Sequence, residues 1–117
     1  QMMHTQVEFV DFQNGSGVRF LTQYAQAFLP INNNELFYTF QGMTADGAYY
    51  VAAIFPVSNP GLPADSSGLT EENFDAFVEG FQEYLSDLAS NLDAQEAANF
   101  TPNLATLDAL VQSIKVE

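Results

Sequence analysis

One histidine, no cysteine and fifteen acids make up most of the reactive side-chain inventory of this 117-residue chain. The histidine, His4, stands beside the start of the chain, where backbones fray. A Ser-His-Asp relay needs its imidazole held between a nucleophile and a carboxylate, so an exposed terminal side chain is the simpler expectation for His4. The absence of cysteine excludes disulfides, thiolate nucleophiles, iron–sulfur clusters and cysteine-ligated zinc. With a single imidazole, a zinc ion would need mostly carboxylate ligands, which is not its usual set.

The acids offer the remaining chemistry. Asp75, Glu79, Glu83 and Asp87 recur at a spacing of four, so one face of a helix carries them all. Like charges lining a closed cleft raise one another's pKa and can serve acid–base catalysis. These acids, however, lie away from the apolar stripe of the same helix, and a solvated face is expected. The run Asp65-Ser66-Ser67-Gly68-Leu69-Thr70-Glu71-Glu72 holds hard oxygen ligands but lacks the alternating Asp/Asn positions and placed glycine of an EF-hand. Weak adventitious calcium binding is the most it suggests. Gly15 and Gly17 fall in a hairpin with neither a helix start nor a following lysine, so they cradle no phosphate. Asn14-Gly15-Ser16 and Asn99-Phe100-Thr101 match the glycosylation acceptor pattern, which matters only in a eukaryotic secretory pathway. No catalytic, cofactor-binding or metal-ligating residue is assigned, and the chain is expected to be no enzyme and to need no cofactor.

Only Arg19 and Lys115 are basic, giving a formal net charge of -13. Binding a polyanion depends on lysine and arginine to neutralise it, so nucleic acid and electrostatic docking to an anionic membrane are excluded as partners. Arg19 could clamp a ligand carboxylate with its guanidinium fork. The structural expectation is an internal acid, with Glu8 across the first hairpin as the candidate.

These side chains must be positioned by one α+β domain spanning residues 1–117. Apolar residues make up 47 % of the chain and aromatics 14 %, enough for a core and far from the composition of a disordered acidic chain. Period-two patterning runs from Val7 to Val57. Val7 and Phe9 alternate with Glu8, Val10 and Phe12 in a first strand, and Asn14-Gly15 suggests a type I′ turn. The second strand sets Val18, Phe20, Thr22 and Tyr24 against Arg19, Leu21, Gln23 and Ala25. After Pro30 and Asn32-Asn33-Asn34, a third strand over residues 36–44 places Leu36, Tyr38 and Phe40 on one face and Phe37, Thr39, Gln41 and Met43 on the other. Asp46-Gly47 turns the chain into a fourth strand over 48–57, apolar on both faces and so expected to be central or covered on both sides.

Residues 56–69 read as a loop. Thr70 should cap one long helix whose stripe is Phe74, Phe77, Val78, Phe81, Leu85, Leu88 and Leu92. Thr101-Pro102 should start a short helix with Leu104, Leu107, Leu110 and Val111 buried, and residues 113–116 offer a short last strand. The expectation is an antiparallel meander of four to five strands with one long and one short C-terminal helix packed on it.

Two segments carry a resemblance. Residues 35–42 (ELFYTFQG), with Asp46-Gly47 and 49–57 (YYVAAIFPV), are similar to a recurring segment of bacterial exported proteins and lipoproteins. The piece from Phe100, Pro102 and Leu104 through Leu107-Asp108 to Val111 and Ser113-Ile114 resembles the closing helix and strand of the PsbP-like α/β/α sandwich. The resemblance implies export and a sandwich fold; it transfers no activity, because fold does not specify function. The low lysine content, the polar Asn/Gln/Ser/Thr surface and a start at Gln1-Met2-Met3 also lead us to expect an extracytoplasmic product (secreted, periplasmic or lipid-anchored) whose leader has been removed.

Function then rests on the aromatic residues. If the helices cover only one face of the sheet, the other keeps an apolar patch, and such patches mark partner surfaces. Phe37, Tyr38, Phe40, Tyr49, Tyr50 and Phe55 are the candidates for contact with a protein partner or a second copy. The competing expectation is a carrier, with a small apolar ligand between the sheet and the Phe74/Phe77/Phe81 stripe.

Overall fold

A computed structural model describes residues 3–23, 30–65 and 67–117. Four antiparallel strands form a meander in the order β1-β2-β3-β4, namely β1 (Thr5–Phe12), β2 (Gly15–Thr22), β3 (Phe37–Thr44) and β4 (Tyr50–Pro56). Three helices follow: α1 (Glu71–Glu79), α2 (Phe81–Asp93) and α3 (Leu104–Gln112), with a 3-10 turn at Ala97–Asn99 between the last two. The expected α+β meander with helices packed on it is the fold.

Alternation decides the faces of the sheet. Val10, Phe12, Leu21, Tyr38 and Phe40 point to the helices and are buried with Phe81, Leu85, Leu92, Phe100, Leu104, Leu107 and Val111. Val51, Ala53 and Phe55 complete that inner face from β4. At the hairpin end, glycines replace bulk. A Cβ on Gly15 would meet the Phe12 ring, and one on Gly42 the Phe40 ring. Each ring therefore packs over bare backbone, and the two meet edge to face with centroids 5.9 Å apart.

Several local expectations are corrected. Phe12 pairs with Gly15, so the two-residue turn is Gln13-Asn14, one residue earlier than Asn14-Gly15. Neither turn residue has the positive φ that a type I′ turn requires. The carbonyl and amide of the Asn14 side chain instead hold the tail, pairing with Val116 N at 3.0 Å and Val116 O at 2.7 Å. Residues 114–117 consequently lie on the hairpin as coil, and no fifth strand forms among the described residues. At the other hairpin Gly47 does take a positive φ of 74°. There the Asp46 carboxylate accepts from the Thr44 hydroxyl at 2.7 Å and from Ala48 N at 2.9 Å.

β4 is an edge strand and not a central one. Its apolar residues on both faces reflect one face against the core and one in the open. The long helix is two helices, because Gly80 sits between them at φ -93° and ψ 8°. Thr70 is the N-cap of α1, with its N–H donating to the Asn73 side chain at 2.8 Å. α1 buries none of its residues, whereas α2 buries Phe81, Leu85 and Leu92. In α3 the cap is Asn103, whose side chain accepts from Ala105 N at 2.9 Å, which leaves Thr101 and Pro102 outside the helix. Leu110 is half exposed and so is not part of the buried stripe of Leu104, Leu107 and Val111. Of the second strand, Tyr24 and Ala25 lie outside the described residues.

Candidate interaction surface

The reactive groups are satisfied inside the protein or held in water. Arg19 points to the helices and is buried, and its partner is not Glu8. Although Glu8 stands opposite Arg19 in the ladder, the guanidinium reaches over the sheet to α3. Its Nε and Nη2 donate to the two carboxylate oxygens of Asp108 at 3.1 and 3.2 Å, and Nη1 donates to the Gln6 carbonyl. A buried guanidinium must place its donors, and Asp108 supplies a fork on the covered face while Glu8 is exposed. The Tyr38 hydroxyl also donates to Asp108 Oδ1 at 2.8 Å. Burial first, and then this hydrogen bond, push the Tyr38 phenol well above its ordinary pKa. This cluster has its donors and acceptors matched, and it pins α3 to β2 and β3.

His4 is exposed, with its ring edge to face with Phe20 at 4.7 Å. Asp75, Glu79, Glu83 and Asp87 are all exposed along α1 and α2. In the 65–72 loop, Asp65 accepts from Ser67 N at 2.9 Å, and its carboxyl is held below the usual range mainly by Ser67; Ser66 lies outside the described residues. No group of three or more His, Asp or Glu side chains converges among the described residues.

The six aromatic candidates divide. Tyr38 and Phe40 are fully buried, and Phe55 is half-buried against Tyr38 with ring centroids 5.8 Å apart; these belong to the core. Phe37 lies on the outer face and is half-buried, Tyr50 is 63 % exposed on the same face, and Tyr49 is exposed in the turn before β4.

The rest of the outer face is made by residues that alternate with the buried set on each strand. Phe9 on β1 is 89 % exposed and Ile54 on β4 is 63 % exposed, with Val7 and Met43 about half exposed. Val18 and Phe20 fill the centre on β2, half-buried. Tyr50 donates its hydroxyl to Gln41 Oε1 at 2.8 Å, fixing the phenol along the surface. A shallow depression of about 440 Å³ is lined by Phe9, Asp11, Ser16, Gly17, Val18 and Gln41. Of the acids, only Asp11 projects from this face in the ladder.

Sequence alternation contained Phe9 and Ile54, but apolar residues of both parities on β1 and β4 do not say which set is covered. That became visible only when all the helices lay on one side. No family model, curated protein or solved structure matches the chain. No helix among the described residues is long and apolar enough to cross a membrane.

Proposed function

We propose that the chain is a non-enzymatic, extracytoplasmic module that works by protein–protein contact through the open face of its sheet. The observation that carries this reading is Phe9, a full aromatic side chain left 89 % exposed on an outer face that also exposes Val7 beside it on β1 and Tyr50 and Ile54 on the opposite edge strand. Large apolar side chains left in water are costly, and a face that carries several of them marks a contact region. The acids are concentrated elsewhere, on the helices and loops, where a negative field keeps the particle soluble and favours basic partners. Placement outside the cytoplasm draws on the lysine-poor polar surface and on the stretch within residues 35–57 that is similar to a segment of exported proteins.

Contact is favoured over carriage of an apolar ligand by what fills the space between sheet and helices. Leu21, Tyr38, Phe40, Phe100, Leu104 and Val111 are buried there to 1 % exposure or less. Phe74, expected to line a ligand pocket, is exposed on α1, and Phe77 packs on Phe81 and Tyr84 at 5.3 and 5.2 Å.

The test places a photoreactive phenylalanine analogue at position 9 and irradiates the protein in its native setting. A protein adduct of defined mass, competed away by unlabelled protein, is expected. Its absence, or an equal yield from the same probe at Ser86 on α2, would overturn the reading.

A further inference from the structure

The two edges of the sheet are built differently. β1 carries several devices that discourage pairing with another strand. Its ladder is broken by a bulge between Thr5 and Glu8, Gln6 has a positive φ of 54°, and Glu8 and Asp11 place charge along it. α2 clasps it as well: the Asp93 carboxylate accepts from Gln6 N at 2.6 Å and Thr5 Oγ1 at 2.5 Å, and the Gln6 amide donates to Leu92 O and Gln95 O.

β4 has none of these except a proline at its last position. Its seven residues, Tyr-Val-Ala-Ala-Ile-Phe-Pro, bear no charge, and its ladder to β3 runs without a bulge. The direction of its peptide groups follows from its ends. Tyr49 O accepts from Thr44 N, and Val57 N donates to Leu36 O, so the odd-numbered peptide groups face β3. Alternation turns the N–H and C=O groups of Tyr50, Ala52 and Ile54 away from the sheet. Pro56 falls in the same set, where its missing N–H breaks no bond to β3. Two residues later Ser58, again of that set, exchanges both backbone hydrogen bonds with Thr101 at 2.8 and 2.9 Å. The outward side is therefore competent for antiparallel pairing, and Thr101 closes it beyond Pro56.

We propose that β4 pairs antiparallel with β4 of a second copy of this chain, about a two-fold axis at Ala52. In that register each Ala52 faces Ala52 of the other copy, and each Tyr50 faces an Ile54. All the outward N–H groups of both strands then meet outward carbonyls. An aromatic opposite a β-branched residue is a favourable cross-strand pair. The partner is argued from self-complementarity, since this two-fold register matches the outward donors and acceptors of β4 with those of an identical strand, and charge fixes where two copies can meet. Two molecules that each carry -13 repel except where their acids are distant, and β4 is an uninterrupted neutral stretch. α2 and α3 rest on β1 at the opposite edge of the sheet, and Tyr50, Ala52 and Ile54 are exposed along β4. The pairing makes one eight-stranded sheet with both helical layers on one side and both open faces on the other. This goes beyond the contact reading: it names a second copy as partner and the β4 edge as its site, and it leaves the open face free.

The experiment is sedimentation of the full chain over a wide concentration range, with a cysteine trap. Wild type is expected to pass from monomer to dimer as concentration rises, more readily in added salt as repulsion is screened. Ala52→Pro removes an outward donor while sparing the β3 ladder, and Ile54→Lys adds charge to the edge. Both are expected to remain monomeric with unchanged circular dichroism. In this cysteine-free chain, Ala52→Cys should form a disulfide-linked dimer at least about tenfold faster than Ser86→Cys, because paired residues on the axis lie within disulfide reach. A wild type that stays monomeric, a dimer that survives both edge substitutions, or equal trapping at the two positions would overturn the inference. A position-9 adduct with another protein, together with a wild type that stays monomeric at every concentration, would leave the contact reading standing while the edge pairing fell.

Discussion

One carboxylate oxygen of Asp108 accepts from Arg19 Nε at 3.1 Å and from the Tyr38 hydroxyl at 2.8 Å. A residue of the last helix thereby fixes the side chains of two neighbouring strands of the sheet. The relationship is asymmetric. The Arg19 side chain is 6 % exposed and that of Asp108 is 22 % exposed, so the loss of either leaves a different orphan.

Asp108→Ala strands a buried guanidinium and should cost about 3 kcal/mol, read as a shift in the urea midpoint. Arg19→Met should cost less, because the carboxylate left behind is closer to water and the new side chain is apolar. Equal losses would show that the pair is not buried in this way.

Alkaline stability follows from Tyr38. Its phenol stays neutral in the fold at pH values where the unfolded chain ionises, near 10. Above that pH the unfolded state binds fewer protons than the native one, so stability falls as pH rises. Tyr84, raised by burial as well, acts in the same direction. Tyr38→Phe should make the decline shallower above pH 10 in denaturant titrations and leave its slope near neutrality unchanged. At the acid end, Asp46 is held low chiefly by its hydrogen bond from the Thr44 side chain. Its contribution is present above the ordinary aspartate range and is lost as pH falls through and below it, a component that Asp46→Asn should remove.

Two phenylalanines on opposite faces should respond in opposite ways. Phe40→Ala opens a cavity under the helices and should cost about 4 kcal/mol. Phe9→Ser, at a side chain 89 % exposed, should change monomer stability by no more than about 0.5 kcal/mol. A large loss at position 9 would mean that something inside the protein covers the outer face.

Gly80→Ala should stabilise by about 0.5 kcal/mol, since its φ is negative and the added Cβ would come no closer than 3.7 Å to Ala76 O. Thermal unfolding measures this directly. A loss would indicate that the joint between α1 and α2 needs a conformation closed to alanine.

Where alternation was strict, as at Leu36, Tyr38 and Phe40, residue type alone placed the strand and its buried face. The partner of Arg19 was not legible, because Asp108 lies 89 positions away and the chain offers many other acids. β4 was misplaced for a physical reason: an edge strand with an open outer face has the same two-sided apolar pattern as a central one. Gly80 was a visible signal against a continuous helix, outweighed by an apolar stripe whose spacing runs through it unbroken. The Asn14 side chain displaced an expected fifth strand through hydrogen bonds that no periodicity encodes.

α1 buries none of its side chains, so most substitutions along it should cost the fold little. Apart from Phe77, which packs on Phe81 and Tyr84, its residues answer mainly to helix propensity and solubility. Among descendants of a common ancestor, the stretch from Glu71 to Ala76 should drift fastest, while Arg19, Tyr38 and Asp108 change together or not at all.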